Sequence, residues 1–132
     1  MTTGDKEKRI LVIGRNTPLM EGVSDLLQVV GYPVEASSTW TETEYAMHDS
    51  PPALVIIDLS IATPDSYRLA EKIRSIPHWS EVPILLISFS GDDRIRELQR
   101  RNQRNGDNKV YFYAHTLLSM DRLLEEVRTC LV

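Results

Sequence analysis

The chain has 132 residues, 42% of them hydrophobic, which suits one domain with a proper buried core. Acidic side chains outnumber basic ones by 19 to 15, a net charge of −4, so bulk attraction to nucleic acid or to an anionic membrane is excluded as the basis of function. The single cysteine, Cys130, rules out an intramolecular disulfide framework. The charged start MTTGDKEKR lacks an apolar h-region, and no run approaches the ~18 apolar residues of a membrane span, so a cytoplasmic location is expected.

Arg9–Ile13 reads as a first strand, its aliphatics continuous as in a sheet covered on both faces. Thr17 can cap a helix and Pro18 suits its first turn; Leu19, Val23, Leu26, Leu27 and Val30 then fall on one face before Gly31 ends it. Tyr32–Ser37 is a short second strand whose proline belongs at its start or on an edge. Thr41-Glu42-Thr43-Glu44 has capping-box spacing for a short second helix through Tyr45, Ala46 and Met47. Leu54–Ile57 running into Asp58 is the most hydrophobic strand and is expected at the sheet centre. Pro64-Asp65 opens a third helix with Leu69, Ala70, Ile73 and Ile76 inward, and Val82–Ser88 is a fourth strand. A fourth helix near Asp92–Arg104 has only Ile95 and Leu98 to anchor it. Lys109–Ala114 makes a fifth strand, and Ser119 caps a last helix with Met120, Leu123, Leu124, Val127 and Leu131 on one face; Cys130 there reads as a small apolar residue.

Five strands alternating with five helices predict a single doubly wound α/β domain over 1–132, with an ordered core over about 8–131 and a parallel sheet covered by helices on both faces. In such sheets ligands sit at the carboxyl ends of the strands, beside the point where strand order reverses. That points to Gly14, Arg15, Asp58, Ser88 and the segment near His115 and Thr116.

RILVI followed by NTPLMEGVSDLLQVVGY, the run PPALVIIDLS ending its strand at Asp58, VPILLIS ending in Ser88, and Tyr113 before the last helix together resemble the receiver domain of two-component response regulators, over essentially the full chain. The resemblance implies a CheY-like, flavodoxin-like fold with strand order 2-1-3-4-5 and a place in bacterial signalling. In that family an acidic pair after the first strand and the aspartate ending the third hold a magnesium ion, while a hydroxyl and a lysine bind the phosphoryl oxygens. Asp58 matches the phosphoacceptor, Ser88 the hydroxyl and Tyr113 the switch aromatic. The remaining positions depart. Gly14 and Arg15 stand at the acidic pair, and Thr116 stands at the lysine when counted back from Ser119, or His115 if the register slips by one. Leu117 replaces the following proline, Phe89 follows Ser88 where a small residue usually leaves the pocket open, and Ala62 and Ser66 replace the proline and glycine common after Asp58.

Asp58 beside Arg15 presents a local charge near zero, so magnesium is not expected to bind well and no cofactor is expected. Without metal or lysine, a phosphoryl donor and Asp58 repel by several kcal/mol at an effective dielectric of ~20. The resulting expectation is a pseudo-receiver: not an enzyme, but a phosphorylation-independent protein-interaction module. Arg15 is expected to pair with Asp58 in place of the metal; the alternative is that Arg15 faces solvent and Asp58 is a remnant. His48, His78 and His115 lie on different elements and predict no metal cluster.

Arg94, Arg96, Arg100, Arg101 and Arg104 face Glu97 alone within 94–104, which reads either as a solvated face or, with Tyr111, as a surface for an acidic partner. By the resemblance, partners are a histidine kinase or an output protein, or a second copy through the fourth helix, fifth strand and fifth helix; neither nucleic acid nor membrane is expected. Two rival readings stand beside this one. The first is a conventional switch phosphorylated on Asp58 by a histidine kinase. The second is a flavodoxin-like small-molecule binder, although the loop GRNTP has one glycine and no phosphate-cradling pattern.

Overall fold

Residues 8–48, 50–58, 65–88, 100, 110–114 and 120–131 are described by a computed structural model. The aliphatic run Ile10–Ile13 forms β1, and all four of its residues are buried. The chain leaves the sheet at Gly14 and turns back on itself, with the Thr17 N–H donating to the Arg15 carbonyl at 2.8 Å. Thr17 is extended (φ −109°, ψ 156°) and its hydroxyl accepts from the Met20 N–H at 3.2 Å, while Pro18 has no N–H to leave unsatisfied, so α1 starts there and runs over Pro18–Val29.

Gly31 ends α1 with φ +104°, donating to the Gln28 carbonyl, and Tyr32 donates to the Leu27 carbonyl, the paired bonds of a Schellman turn. Tyr32 packs back onto the core cluster that contains Leu27. The inward stripe of α1 differs from the predicted one: Met20, Val23 and Leu27 are buried, Leu19 and Leu26 are half-buried, and Val30, expected inside, is 42% exposed at the C-cap. Leaving the helix at the cap turns Val30 away from the sheet.

Beyond the turn, β2 covers Val34–Ser37 and α2 covers Trp40–Ala46. The capping box lies two residues earlier than the sequence spacing suggested. Thr39, extended at φ −126°, caps the helix, its hydroxyl accepting from the Glu42 N–H while Glu42 accepts from the Thr39 N–H. Thr43 is thereby drawn inside, 1% exposed, where its hydroxyl lies 2.5 Å from that of buried Ser37.

The remaining elements are β3 (Leu54–Asp58), α3 (Asp65–Arg74), a 3-10 turn (Pro77–Trp79), β4 (Ile84–Ser88), β5 (Val110–Ala114) and α4 (Met120–Leu131). Ile76, predicted to be inward on the helix, lies past the end of α3 as the cap of the 3-10 turn, and is still packed on the core. That turn buries Trp79 completely, and Arg74 fixes it by donating from Nη1 to the Val82 carbonyl at 2.5 Å. Of the predicted helix at 92–104, Arg100 alone is described, as helical and exposed; its other residues, and Ser119, lie outside the described residues.

All five strands are parallel, in the order β2-β1-β3-β4-β5, as expected for a doubly wound α/β sheet with β3 at its centre and the proline-led β2 on an edge. Alternate strand residues point to opposite faces. Leu11, Ile13, Val55, Ile57, Ile84 and Leu86 join Ala46 of α2 and Ala70 and Ile73 of α3 on one face. Ile10, Val12, Leu54, Ile56, Leu85 and Ile87 join Met20, Val23 and Leu27 of α1 and Leu123, Val127 and Cys130 of α4 on the other. Fully burying each such aliphatic side chain contributes ~1.5–3 kcal/mol, so the two-sided cover is what holds the strand ends in place. No helix among the described residues is long and apolar enough to cross a membrane.

Candidate functional site at the strand ends

Parallel register brings the sequence-predicted residues to one end of the sheet. Ile13 pairs with Ile57, so Gly14, one residue on, stands beside Asp58. Asp58 in turn pairs with Ile87, and Ile87 with Tyr113, which sets Gly14, Asp58 and Tyr113 on one level of the sheet; Ser88 pairs with Ala114 one level beyond. Tyr111 lies lower in β5, opposite Leu85. Phe89, His115, Thr116, Arg94, Arg96, Arg101 and Arg104 lie outside the described residues.

The site is shaped first by burial. Asp58 is 2% exposed, the one carboxylate buried among the described residues, whereas Arg15 is exposed. Gly14 is itself buried, and its N–H donates to the Ser37 carbonyl at 3.0 Å, extending the pairing of β1 with β2 by one residue. A side chain at position 14 would be tight: an ideal Cβ there falls 3.0 Å from Asp58 Cβ, 3.1 Å from Met20 Cε and 3.4 Å from Met20 Cγ. Carbon atoms in optimal contact stand ~3.5–4.0 Å apart, so a Cβ here would need its neighbours to give by a few tenths of an ångström.

Sequence reasoning did not single out Met20. The signal that locates it is the 20, 23, 27 spacing, which is the true inward stripe of α1. Among the described residues, no three His, Cys, Asp or Glu side chains are grouped so as to hold a metal ion. An open groove of about 430 Å³ lies elsewhere, along the β2 edge between Glu35 and Ser37 of β2 and Thr41, Glu42 and Tyr45 of α2.

No family model matches the chain. It is 27% identical over 97 residues to the probable transcriptional regulator ycf27 of Guillardia theta, a match covering 72% of this chain and 37% of that protein. The ycf27 protein of Galdieria sulphuraria is 25% identical over 96 residues, covering 71% and 36%. The chain thus spans well under half the length of these curated relatives. Among solved structures, a CheY-like response regulator receiver domain protein from Methanospirillum hungatei superposes with a TM-score of 0.74 at 19% identity, over 94% of this chain and 93% of that one. The receiver domain of the sensor histidine kinase PA1611 from Pseudomonas aeruginosa, solved with a magnesium ion coordinated in its active-site cleft, gives 0.74 at 17% identity, over 94% and 97%. The N-terminal domain of a response regulator/sensory box/GGDEF protein from Carboxydothermus hydrogenoformans gives 0.74 at 21% identity, over 94% of each chain. The chain has the CheY-like receiver fold.

Proposed function

We propose that this chain is a receiver-type module of two-component signalling that presents one fixed surface to a protein partner without being phosphorylated. The observation that carries this reading is the corner itself: a buried Asp58 with Gly14 and exposed Arg15 where the receiver pattern has two further carboxylates. One carboxylate and one guanidinium sum to no net charge and offer too few hard oxygens, so these residues do not fit magnesium. The place in signalling is supported by the fold, by the transcriptional-regulator name of the curated relatives and by receiver domains among the structural neighbours. A histidine kinase or an output protein is then the natural partner. The arginines of 94–104, of which Arg100 is described and exposed, are the basic stretch of sequence that suits an acidic partner, and Tyr111 follows them in sequence.

Incubation with acetyl phosphate and magnesium, read by intact-protein mass spectrometry, tests the reading. The expected result is an unchanged mass. A gain of one phosphoryl group that disappears in Asp58→Asn assigns the conventional switch instead, a reading favoured by the retention of Asp58 at the end of β3 and Ser88 at the end of β4. A thermal-shift screen with nucleotides and flavins tests the small-molecule reading, and no stabilisation is expected.

A further inference from the structure

We infer that the magnesium corner is closed by shape as well as by charge, with Gly14 and Met20 as the closing pair. The inference rests on the reading that the corner holds no magnesium, and it names the residues that decide this. Charge alone would be undone by restoring two acids. The geometry says otherwise. The missing Cβ of Gly14 lets the end of β1 lie so near β3 that an ideal Cβ would meet Asp58 Cβ at 3.0 Å. Asp58 Cβ is fixed to a central strand whose residues are all buried, so it has little freedom to retreat.

Met20 is the second neighbour of that Cβ position, its Cε at 3.1 Å and its Cγ at 3.4 Å. Its backbone is held by the Thr17 cap, its side chain is 4% exposed, and it belongs to the same core cluster as Val23, Leu27 and Ile87. The Met20 Cε, at 3.1 Å, is the more yielding of the two neighbours because a thioether end can swing. It can swing only if the cluster makes room, and a carboxylate at position 14 must displace it before any oxygen reaches the corner. Met20 is therefore a specificity-determining residue of this strand end: it excludes a hydrated divalent cation whatever the charge of its neighbours.

The test uses the full chain and MgCl₂, followed by amide shifts around Asp58 in ¹H–¹⁵N NMR spectra. The wild type and Gly14→Asp/Arg15→Asp are expected to show no saturable response at millimolar magnesium. Adding Met20→Ala to the acidic pair is expected to tighten magnesium binding at least about tenfold. Equal affinity, or equal absence of binding, in the acidic pair with and without Met20→Ala overturns the closing pair. Magnesium binding by the wild type itself overturns the reading that the corner excludes the ion, and the two acidic variants still decide what Met20 does. Should the acidic variants not fold, an alanine cycle decides. Gly14→Ala is expected to lower the melting temperature by ~5 °C, and Gly14→Ala/Met20→Ala to lose less than the sum of the single changes. Strictly additive losses overturn the inference.

Discussion

Asp58 sets the energetic problem at the scale of single residues. A carboxylate 2% exposed loses hydration worth several kcal/mol and persists only with compensating partners. Arg15 follows Gly14, which stands beside Asp58 in the sheet register, and we propose that its guanidinium supplies part of that compensation from the exposed side. Arg15→Ala is then expected to lower stability by about 1 kcal/mol, discounted for exposure, or ~3–5 °C in melting temperature. Arg100→Ala, at an exposed helical position, is expected to lower it negligibly. Equal melting curves for the two variants would show that Arg15 does not support Asp58. The placement of Gly14, Arg15 and Asp58 at the strand ends was legible in the sequence, because a strand end followed by a turn announces itself through residue type. Met20 was not, because Leu19 beside it fits nearly the same helical face. Only the packed positions show that Met20, and not Leu19, reaches position 14.

At the scale of elements, the two ends of α1 and the start of α2 carry the local specification. Gly31 holds φ +104°, which a residue with a Cβ adopts only at a cost, so Gly31→Ala is expected to destabilise by ~1–2 kcal/mol, measured by urea unfolding. Nothing lies within 4 Å of its Cβ position, so that loss is conformational, not steric. The capping box of α2 adds a pH signature. Glu42 is held below the usual carboxylate range, first by the Ser38 N–H, then by the hydroxyls of Ser38 and Thr39, with the Thr39 N–H adding to them. A folded-state pKa below the unfolded value gives stability that is present above the unfolded pKa and lost as pH falls through the folded one. Thr39→Ala is therefore expected to cost stability at neutral pH and to cost less as pH falls through the folded-state value of Glu42, where the wild type loses part of the box. An equal cost at neutral and acidic pH would count against the Glu42 contribution. The sequence suggested a box at Thr41 and Glu44 because the same Thr-x-x-Glu spacing occurs twice within a few residues. The tie is broken by tertiary structure: starting at Thr39 places Thr43 inward against Ser37.

At the scale of the whole molecule, the parallel sheet covered on both faces followed from period and composition, because continuous aliphatic runs are needed only in strands buried on both sides, whereas the strand order followed from the receiver resemblance. Trp79 escaped sequence reasoning for the converse reason: its burial comes from a 3-10 turn with no repeating pattern, fixed by Arg74 reaching across to Val82. Cys130 links the last helix to the global stability of this cover. It is 4% exposed in the cluster shared by β1, β3, β4, α1 and α4, and burial, aided by the Glu126 carboxylate, pushes its thiol up to about 12. The protonated thiol is thus favoured by folding. Its contribution is fully present below the unfolded thiol pKa and declines as pH rises above that value toward 12. Because the thiolate is the reactive form, a disulfide reagent at about pH 8 should label the native chain at least ~10³-fold more slowly than the urea-unfolded chain. The native rate should rise with urea in step with loss of helical circular dichroism. Fast labelling of the fully folded protein would mean that α4 opens on its own and that the helical cover over the strand ends is not one cooperative unit.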